Sequence, residues 1–534
     1  MSDEINDHGQ PDDFDLTPEE QAELDAALGD FAEQEAKALG LERKQYTENV
    51  QQEFWAEQVP HTTILVSGLS LAHDHLVTAA LAGIGYKVKT LDVPDVESLQ
   101  YGKEFGNRGQ CSPTYFTVGN LVKSLVKMRD EDGLTTQEII DGHIFLTAGG
   151  CGPCRFGMYV TEYRKALRDA GFDGFRVLTF QMAGGIQQAT GQELGLKIDP
   201  NFAWHVVRSL IAGDVLNLMA YRLRPYEVVE GSTNAAIEEC KAVLYDAFSK
   251  RKHASVALYK CRRILKGVEV DRTRPKPLVS LIGEFWAMTT EGDGNYHMQA
   301  FLEGEGAEVD IQGITNWLLF MIWEAGYDTE QRQVLKHDDE ARKGLAGKNA
   351  TKKLYSLRAG YWAVRGVFQA YANILGLHGY HLPDMNQIAE LAAKHYSNDV
   401  RGGEGHMEVG KLIHFVADNV NHMTVSVKPF GCMPSSGVSD GVQTKILSEY
   451  PQAIFVPIET TGDQQVNAHS RVQMMLFKAK QRAREEFDKA LADTGLSEQE
   501  YRDRVKRSRK WRNPFRRPAH KAAGIAANLV YAVG

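Results

Sequence analysis

The sequence contains few cysteines, which limits the number of disulfide bonds that it could form. Only six of the 534 residues are cysteines, too few for the disulfide framework of a secreted protein. The longest apolar run, NWLLFMIW at 316–323, is far shorter than the roughly 18 residues that a membrane helix needs. The N-terminus has neither a basic nor an apolar stretch and does not resemble a secretory signal. We therefore expect a cytoplasmic protein with reduced cysteines and no membrane contact.

Positive charge is missing from the beginning of the chain and concentrated at its end. Residues 1–36 contain no Lys or Arg, and we interpret residues 1–50 as an acidic, solvated N-terminal arm. Residues 491–534 include the basic stretch RDRVKRSRKWRNPFRRPAHK, which predicts a solvated basic C-terminal tail or a contact with an acidic partner. The formal net charge of −10 argues against nucleic acid as a partner.

Between these ends, short β-rich runs alternate with helical periodicity, which is typical of an α/β fold with parallel sheets. We predict two Rossmann-like lobes, over residues 51–270 and 271–490, with a helical insertion at about 311–420 in the second. The strand candidates are TTILVSG (62–68), YKVKTLDV (86–93), HIFLTAGG (143–150), FRVLTFQ (175–181), KPLVSLIGEFW (276–286), MTVSVKPFG (423–431) and AIFVPIET (453–460).

Four of the six cysteines share a setting that the other two lack. These four are Cys111, Cys151, Cys154 and Cys432. Each follows a polar or glycine-rich turn, and the last three come between a predicted strand and a predicted helix. Such turns meet at one edge of an open α/β sheet, where ligands bind and helix N-termini stabilise thiolates. Cys240 and Cys261 lie inside amphipathic stretches, and we expect them to be packing residues.

The residue pattern leaves several interpretations of the four cysteines open. One CxxC pair and two distant single cysteines suit an iron–sulfur site assembled between lobes, but structural zinc or unrelated buried thiols are alternatives. Cys151 and Cys154 alone, in the sequence CGPC, are typical of a dithiol oxidoreductase. A non-catalytic interaction protein stabilised by a metal is a further alternative.

Several short motifs, in the expected order, resemble those of the 2-hydroxyacyl-CoA dehydratase and benzoyl-CoA reductase superfamily. The resemblance covers roughly residues 60–480. It is greatest to the branch of iron–sulfur proteins related to the C-terminal part of large 2-hydroxyglutaryl-CoA dehydratase activase fusions. The motifs are NRGQCSPTYFTVGNLVK (107–123), GPCRFGMYVTEY (152–163), LRPYE (223–227), GEFW (283–286) with Asn295, and KPFGCMPSS (428–436).

The resemblance implies a cofactor and the residues that bind it. Cys111, Cys154 and Cys432 match the family's cluster cysteines, which implies a [4Fe-4S] cluster between the two lobes. Cys151 is placed to supply a fourth ligand, which would favour electron transfer over binding of substrate to iron. Arg155 directly follows Cys154, and this position suits it either to compensate the negative charge of a cluster or to donate a hydrogen bond to a nearby carboxylate.

The resemblance also implies a partner and an activity. In this family a separate ATP-hydrolysing activase, with its own [4Fe-4S] cluster, supplies low-potential electrons. The implied function is an oxygen-sensitive electron-transfer component of an enzyme, for reductase or dehydratase chemistry on an acyl-CoA or other small molecule. The sequence contains no G-x-x-x-x-G-K-[ST] motif, the pattern of a phosphate-binding loop. ATP hydrolysis is therefore expected in the activase and not in this chain.

Overall fold

The computed structural model describes Ala27 and residues 54–68, 70–149, 154–181, 195–334, 349–400, 403–436 and 440–534. The predicted acidic arm, except for Ala27, lies outside the described residues, and so does Cys151. Residues 51–534 group into one unit. In the part of the chain that the structure describes, no helix is both long and apolar enough to span a membrane.

The first lobe contains a four-stranded parallel sheet in the order β2-β1-β3-β4. Its strands are β1 (Thr63–Val66), β2 (Lys87–Thr90), β3 (His143–Gly149) and β4 (Arg176–Gln181). Its helices are α1 (Leu71–Gly83), α2 (Val96–Phe105), α3 (Ser112–Asp130), α4 (Thr136–Gly142) and α5 (Tyr159–Asp169). The central strand β1 is mostly buried, whereas the edge strand β2 alternates lysines with partly buried residues, as expected where only one side of a strand is paired.

Three helices connect the two lobes. They are α6 (Pro200–Leu223), α7 (Ser232–Ser249) and α8 (Ala254–Leu265). Cys240 on α7 and Cys261 on α8 are fully buried, and each thiol lies 3.6–3.7 Å from the backbone carbonyl oxygen of the other residue. Both are packing residues, as the sequence predicts.

Asp214 fixes the middle of α6 to both lobes. Its carboxylate accepts hydrogen bonds from the backbone N–H groups of Ile314 (2.8 Å) and Thr315 (2.5 Å) at the start of the next long helix of the second lobe. It also lies 3.0 Å from Nε2 of His73 on α1. Because Asp214 is only 1% exposed, an asparagine in its place would put an NH₂ donor where one N–H group now has an acceptor oxygen, and that buried donor would be left unsatisfied.

The second lobe repeats the strand order of the first, as β6-β5-β7-β8, and all four strands are parallel. The strands are β5 (Leu278–Gly283), β6 (Glu308–Ile311), β7 (Met423–Pro429) and β8 (Phe455–Thr460). Its helices are α9 (Phe285–Thr289), α10 (Met298–Gly304), α11 (Ile314–Val334), α12 (Ala350–Leu375), α13 (Met385–Ala392), α14 (Gly405–Ala417), α15 (Asp440–Glu449) and α16 (Gln465–Thr494). The predicted fold, two Rossmann-like α/β lobes, is confirmed, and helices α11–α14 form the predicted insertion.

Residues 491–534 do not form the solvated tail that their charge predicts. They contain α17 (Glu498–Arg507) and α18 (Ile525–Val533), which pack against the end of α16. Tyr501, Trp511 and Leu529 are buried in this small core. The basic composition misleads because charged side chains extend into solvent while the apolar residues between them supply the packing surface.

Glu486 on α16 anchors the beginning of α18. Its carboxylate accepts hydrogen bonds from the backbone N–H groups of Ala523 (3.0 Å) and Gly524 (2.7 Å), and it lies 3.3 Å from Nε2 of His422. A carboxylate at this position satisfies N–H groups that a helix start leaves without intrahelical partners.

Candidate functional site

Three of the predicted cluster cysteines occupy the starts of helical segments. Cys111 is the N-cap of α3, and Cys154 precedes the short 3₁₀ turn that leads into α5. Cys432 follows β7 and precedes a helical turn at 433–436. Since β3 and β7 hold corresponding places in two sheets of the same order, Cys154 and Cys432 are positional equivalents in the two lobes.

The turn at Cys111 lies directly on the turn at Cys432, although the two belong to different lobes. The backbone N–H of Ser112 donates to the carbonyl oxygen of Phe430 (3.0 Å), and its hydroxyl donates to the carbonyl oxygen of Thr460 (2.9 Å). Gly431 approaches so closely that a Cβ there would lie 3.2 Å from Cα of Cys111. The packing of the lobes therefore brings these two distant cysteines to one place.

Cys154 faces the same surroundings. Burial is the main cause that raises the pKa of Cys154 to about 12, and the charges of Glu284, Glu404 and Cys111 add to the effect. Burial also raises the pKa of Cys432, and Glu284 and Glu404 contribute there as well. The two thiols are thus protonated at neutral pH in the chain by itself. We call Cys111, Cys154 and Cys432 the cysteine site.

Two carboxyl groups that the sequence analysis did not single out belong to this site. Glu284 caps α9 by accepting the backbone N–H of Ala287 (2.9 Å), and buried Glu404 accepts the backbone N–H of Phe285. Burial raises the pKa of both carboxyls, and the charge of Glu284 raises that of Glu404 further. Glu284 follows β5 directly, so the rule that singled out the cysteines, a polar residue after a parallel strand, would have found it.

Hydroxyl groups surround the sulfur of Cys111. Its Sγ lies 3.2 Å from the hydroxyl of Thr114 and 3.2 Å from that of Tyr159. Burial raises the pKa of Tyr159 well above its ordinary value, so this phenol stays protonated and is able to donate to sulfur. The contact between Cys111 and Tyr159 could not be predicted from the sequence, because it depends on the packing of α5 beside α3.

The other two predicted site residues have different outcomes. The Nε of Arg155 is buried and has no hydrogen-bond partner among the described residues. Cys151, the predicted fourth ligand, lies outside the described residues. Within those described, no group of three or more His, Cys, Asp or Glu side chains is arranged to hold a metal ion.

The raised pKa of Cys154 bears on the dithiol alternative. A dithiol oxidoreductase needs an attacking cysteine whose pKa is lowered, so that it is a thiolate near neutral pH. Burial shifts the pKa of Cys154 in the opposite direction. A CxxC pair needs only one such thiolate, so this pKa fits Cys154 as the second, protonated thiol of a pair and leaves the dithiol alternative open.

Comparison with known proteins gives no family assignment. No protein-family model matches the chain, and no curated protein matches it significantly.

Proposed function

We propose that this chain is an iron–sulfur protein of the 2-hydroxyacyl-CoA dehydratase type. The observation that carries the proposal is the cysteine site itself. Cys154 and Cys432, at equivalent positions of the two lobes, both lie near Glu284 and Glu404, and the turn at Cys111 packs against the turn at Cys432. Cys240 and Cys261, by contrast, pack against each other inside the helical core and do not follow strands.

The donor chemistry of the site fits a thiolate-bound cluster. Cys111, Cys154 and Cys432 would hold a [4Fe-4S] cluster, with Cys151 as a further ligand. The cysteines of such a cluster bind different iron atoms, so they lie farther apart than the ligands of a single metal ion. When bound, the cluster would supply one-electron transfer at low potential.

The residues around the cysteines would adapt the site to this role. The hydroxyls of Tyr159 and Thr114 would donate to the sulfur of Cys111, and hydrogen bonds to sulfur are one means by which proteins set a cluster's potential. Arg155, whose Nε is buried without a partner among the described residues, would offset negative charge. Burial raises the pKa of both Glu284 and Glu404, which would reduce the negative charge that they add beside a cluster.

A partner and a substrate complete the proposal. An ATP-hydrolysing activase with its own [4Fe-4S] cluster would supply the electrons, since the sequence has no phosphate-binding loop of the G-x-x-x-x-G-K-[ST] form. The acceptor would be an acyl-CoA or other small molecule that undergoes reduction or dehydration. The chain would thus be the oxygen-sensitive reductase or dehydratase component.

Metal analysis after anaerobic purification tests the proposal. We expect iron with acid-labile sulfide and a broad absorption near ~400 nm that air bleaches. Cys432→Ser should lose most of the iron, because serine is a poor ligand where iron needs a soft thiolate. Cys240→Ser, a substitution of the same kind in the packing core, should keep it. A colourless protein with stoichiometric zinc, or full iron retention in Cys432→Ser, would refute the proposal.

A further inference from the structure

A cavity of about 480 Å³ lies at the opposite edge of the second sheet from the cysteine site. It opens where β5 and β6 begin, at Leu278 and Glu308, whereas the cysteines follow the ends of the strands. Its other walls come from α6, the loop at 378–380 and the C-terminal segment at 517–528. A volume of this size is within the range of small-molecule sites, roughly 300–1,000 Å³.

Arg222 on α6 is the most informative residue in the cavity wall. Among the described residues its guanidinium makes no ion pair, and its one hydrogen bond is a long one, 3.5 Å from Nη1 to the carbonyl oxygen of His378. It lies over the ring of Tyr380, 5.2 Å from the centroid. A guanidinium has five N–H donors in a planar fork, so most of the donors of Arg222 have no acceptor among the described residues.

A second arginine faces the same space. Arg517 forms an ion pair with Glu308, whose carboxylate also accepts the hydroxyl of Tyr226 at 2.8 Å. The ion pair with Glu308 holds the guanidinium of Arg517 in place, and Glu308 forms no ion pair with Arg222 among the described residues. Burial and then the charge of Arg517 lower the pKa of Arg222 to about 9, which reflects two cations near one another in a poorly hydrated place.

Two carboxylates, Glu308 and Asp310, also line the cavity, and their charges raise the pKa of Arg222 against the effects of burial and Arg517. Asp310 makes no ion pair with Arg222, and burial raises the pKa of Asp310. The charge with the largest effect on Asp310 is that of Lys411 and not that of Arg222. Apolar wall is supplied by Tyr221 and Ile525, so the cavity combines an unpaired planar cation with an apolar surface.

We propose that this cavity binds a small organic anion, whose phosphate or carboxylate group lies between Arg222 and Arg517 and whose apolar body lies against Tyr221, Tyr380 and Ile525. Arginine binds both of these oxyanions through two parallel N–H···O bonds. The proposal is independent of the proposed iron–sulfur function, because the cavity is built by other residues at another edge of the sheet.

Calorimetric titration of the full-length protein with phenyl phosphate and, separately, with phenylacetate tests the proposal. We expect saturable binding of at least one probe, and the tighter one identifies the anionic group. Arg222→Gln should weaken that binding by at least about tenfold, since hydrogen bonds to a charged group are lost. Arg208→Gln is the matched control, because Arg208 lies on the same helix, over the ring of Trp204, and outside the cavity.

Two further variants keep the test decisive if Arg222→Gln does not fold. Arg222→Lys keeps the charge but loses the planar fork, and should also weaken binding. Ala523→Leu narrows the cavity without changing any charge, and should do the same. The proposal is overturned if the wild-type protein binds neither probe saturably. It is equally overturned if the folded cavity variants bind as tightly as Arg208→Gln.

Discussion

Gly431 is the position at which a single methyl group tests the contact between the lobes. Its φ of +76° is in the left-handed region, where a residue with a Cβ costs about 1–2 kcal/mol. The added Cβ would lie 3.2 Å from both Cα of Cys111 and the carbonyl oxygen of Gln110, and such overpacking costs about 1–3 kcal/mol. Alanine returns about 0.4–1 kcal/mol by restricting the unfolded chain. We therefore expect Gly431→Ala to lower the free energy of unfolding by about 1–4 kcal/mol.

Gly109→Ala separates the contact from the backbone strain. Gly109 has nearly the same φ, +77°, but apart from its two chain neighbours no described residue has an atom within 4 Å of the position that its Cβ would take. Gly109→Ala should therefore be less destabilising than Gly431→Ala. The difference between the two variants should equal the cost of overpacking, about 1–3 kcal/mol. Urea unfolding of both anaerobically purified variants measures the difference, and iron content on the same samples tests whether the proposed cluster depends on this contact. Equal free energies of unfolding would refute the close approach of the lobes at Gly431.

Three further predictions concern a helix start, a buried carboxylate and ATP. Burial raises the pKa of Glu486, but its hydrogen bonds to His422 and to two backbone N–H groups outweigh burial and hold that pKa below its ordinary value. The stability that this carboxylate contributes is thus present at neutral pH and is lost as the pH falls through its lowered pKa. At pH 7 the free energy of unfolding of Glu486→Gln should be about 1–2 kcal/mol lower than that of the control variant Glu485→Gln. In acid the two free energies should be equal, and a difference that persists there would contradict this prediction. Asp214→Asn should lower the free energy of unfolding, measured with denaturant, by about 2–4 kcal/mol. The control Asp418→Asn changes an exposed residue and should lower it by about 0.5 kcal/mol or less. Similar losses in the two variants would contradict the role of Asp214. The purified chain alone should release no phosphate from ATP, and release that survives further purification would disprove this.

Local sequence pattern was enough to predict seven of the eight described sheet strands and the two-lobe organisation. Strands such as β5 and β7 are short apolar runs because both faces of a parallel sheet are covered by helices, and that pattern is visible in the sequence. The same rule led to Cys154 and Cys432, since a turn after a parallel strand lies at the ligand-binding edge of its sheet. β6 was missed because its four residues, Glu308–Ile311, include two acids and form no apolar run.

The sequence by itself determined which residues follow strands and which lie inside helices, because these properties depend on neighbours along the chain. Only the tertiary structure decided that the turn at Cys111 lies on the turn at Cys432, that Glu284 and Glu404 share their surroundings, and that Arg222 faces a cavity without an acidic partner among the described residues. It also decided that the basic C-terminal segment folds against α16. Burial and electrostatic interaction depend on distances between residues that are far apart in sequence, and those distances are fixed only when the lobes pack.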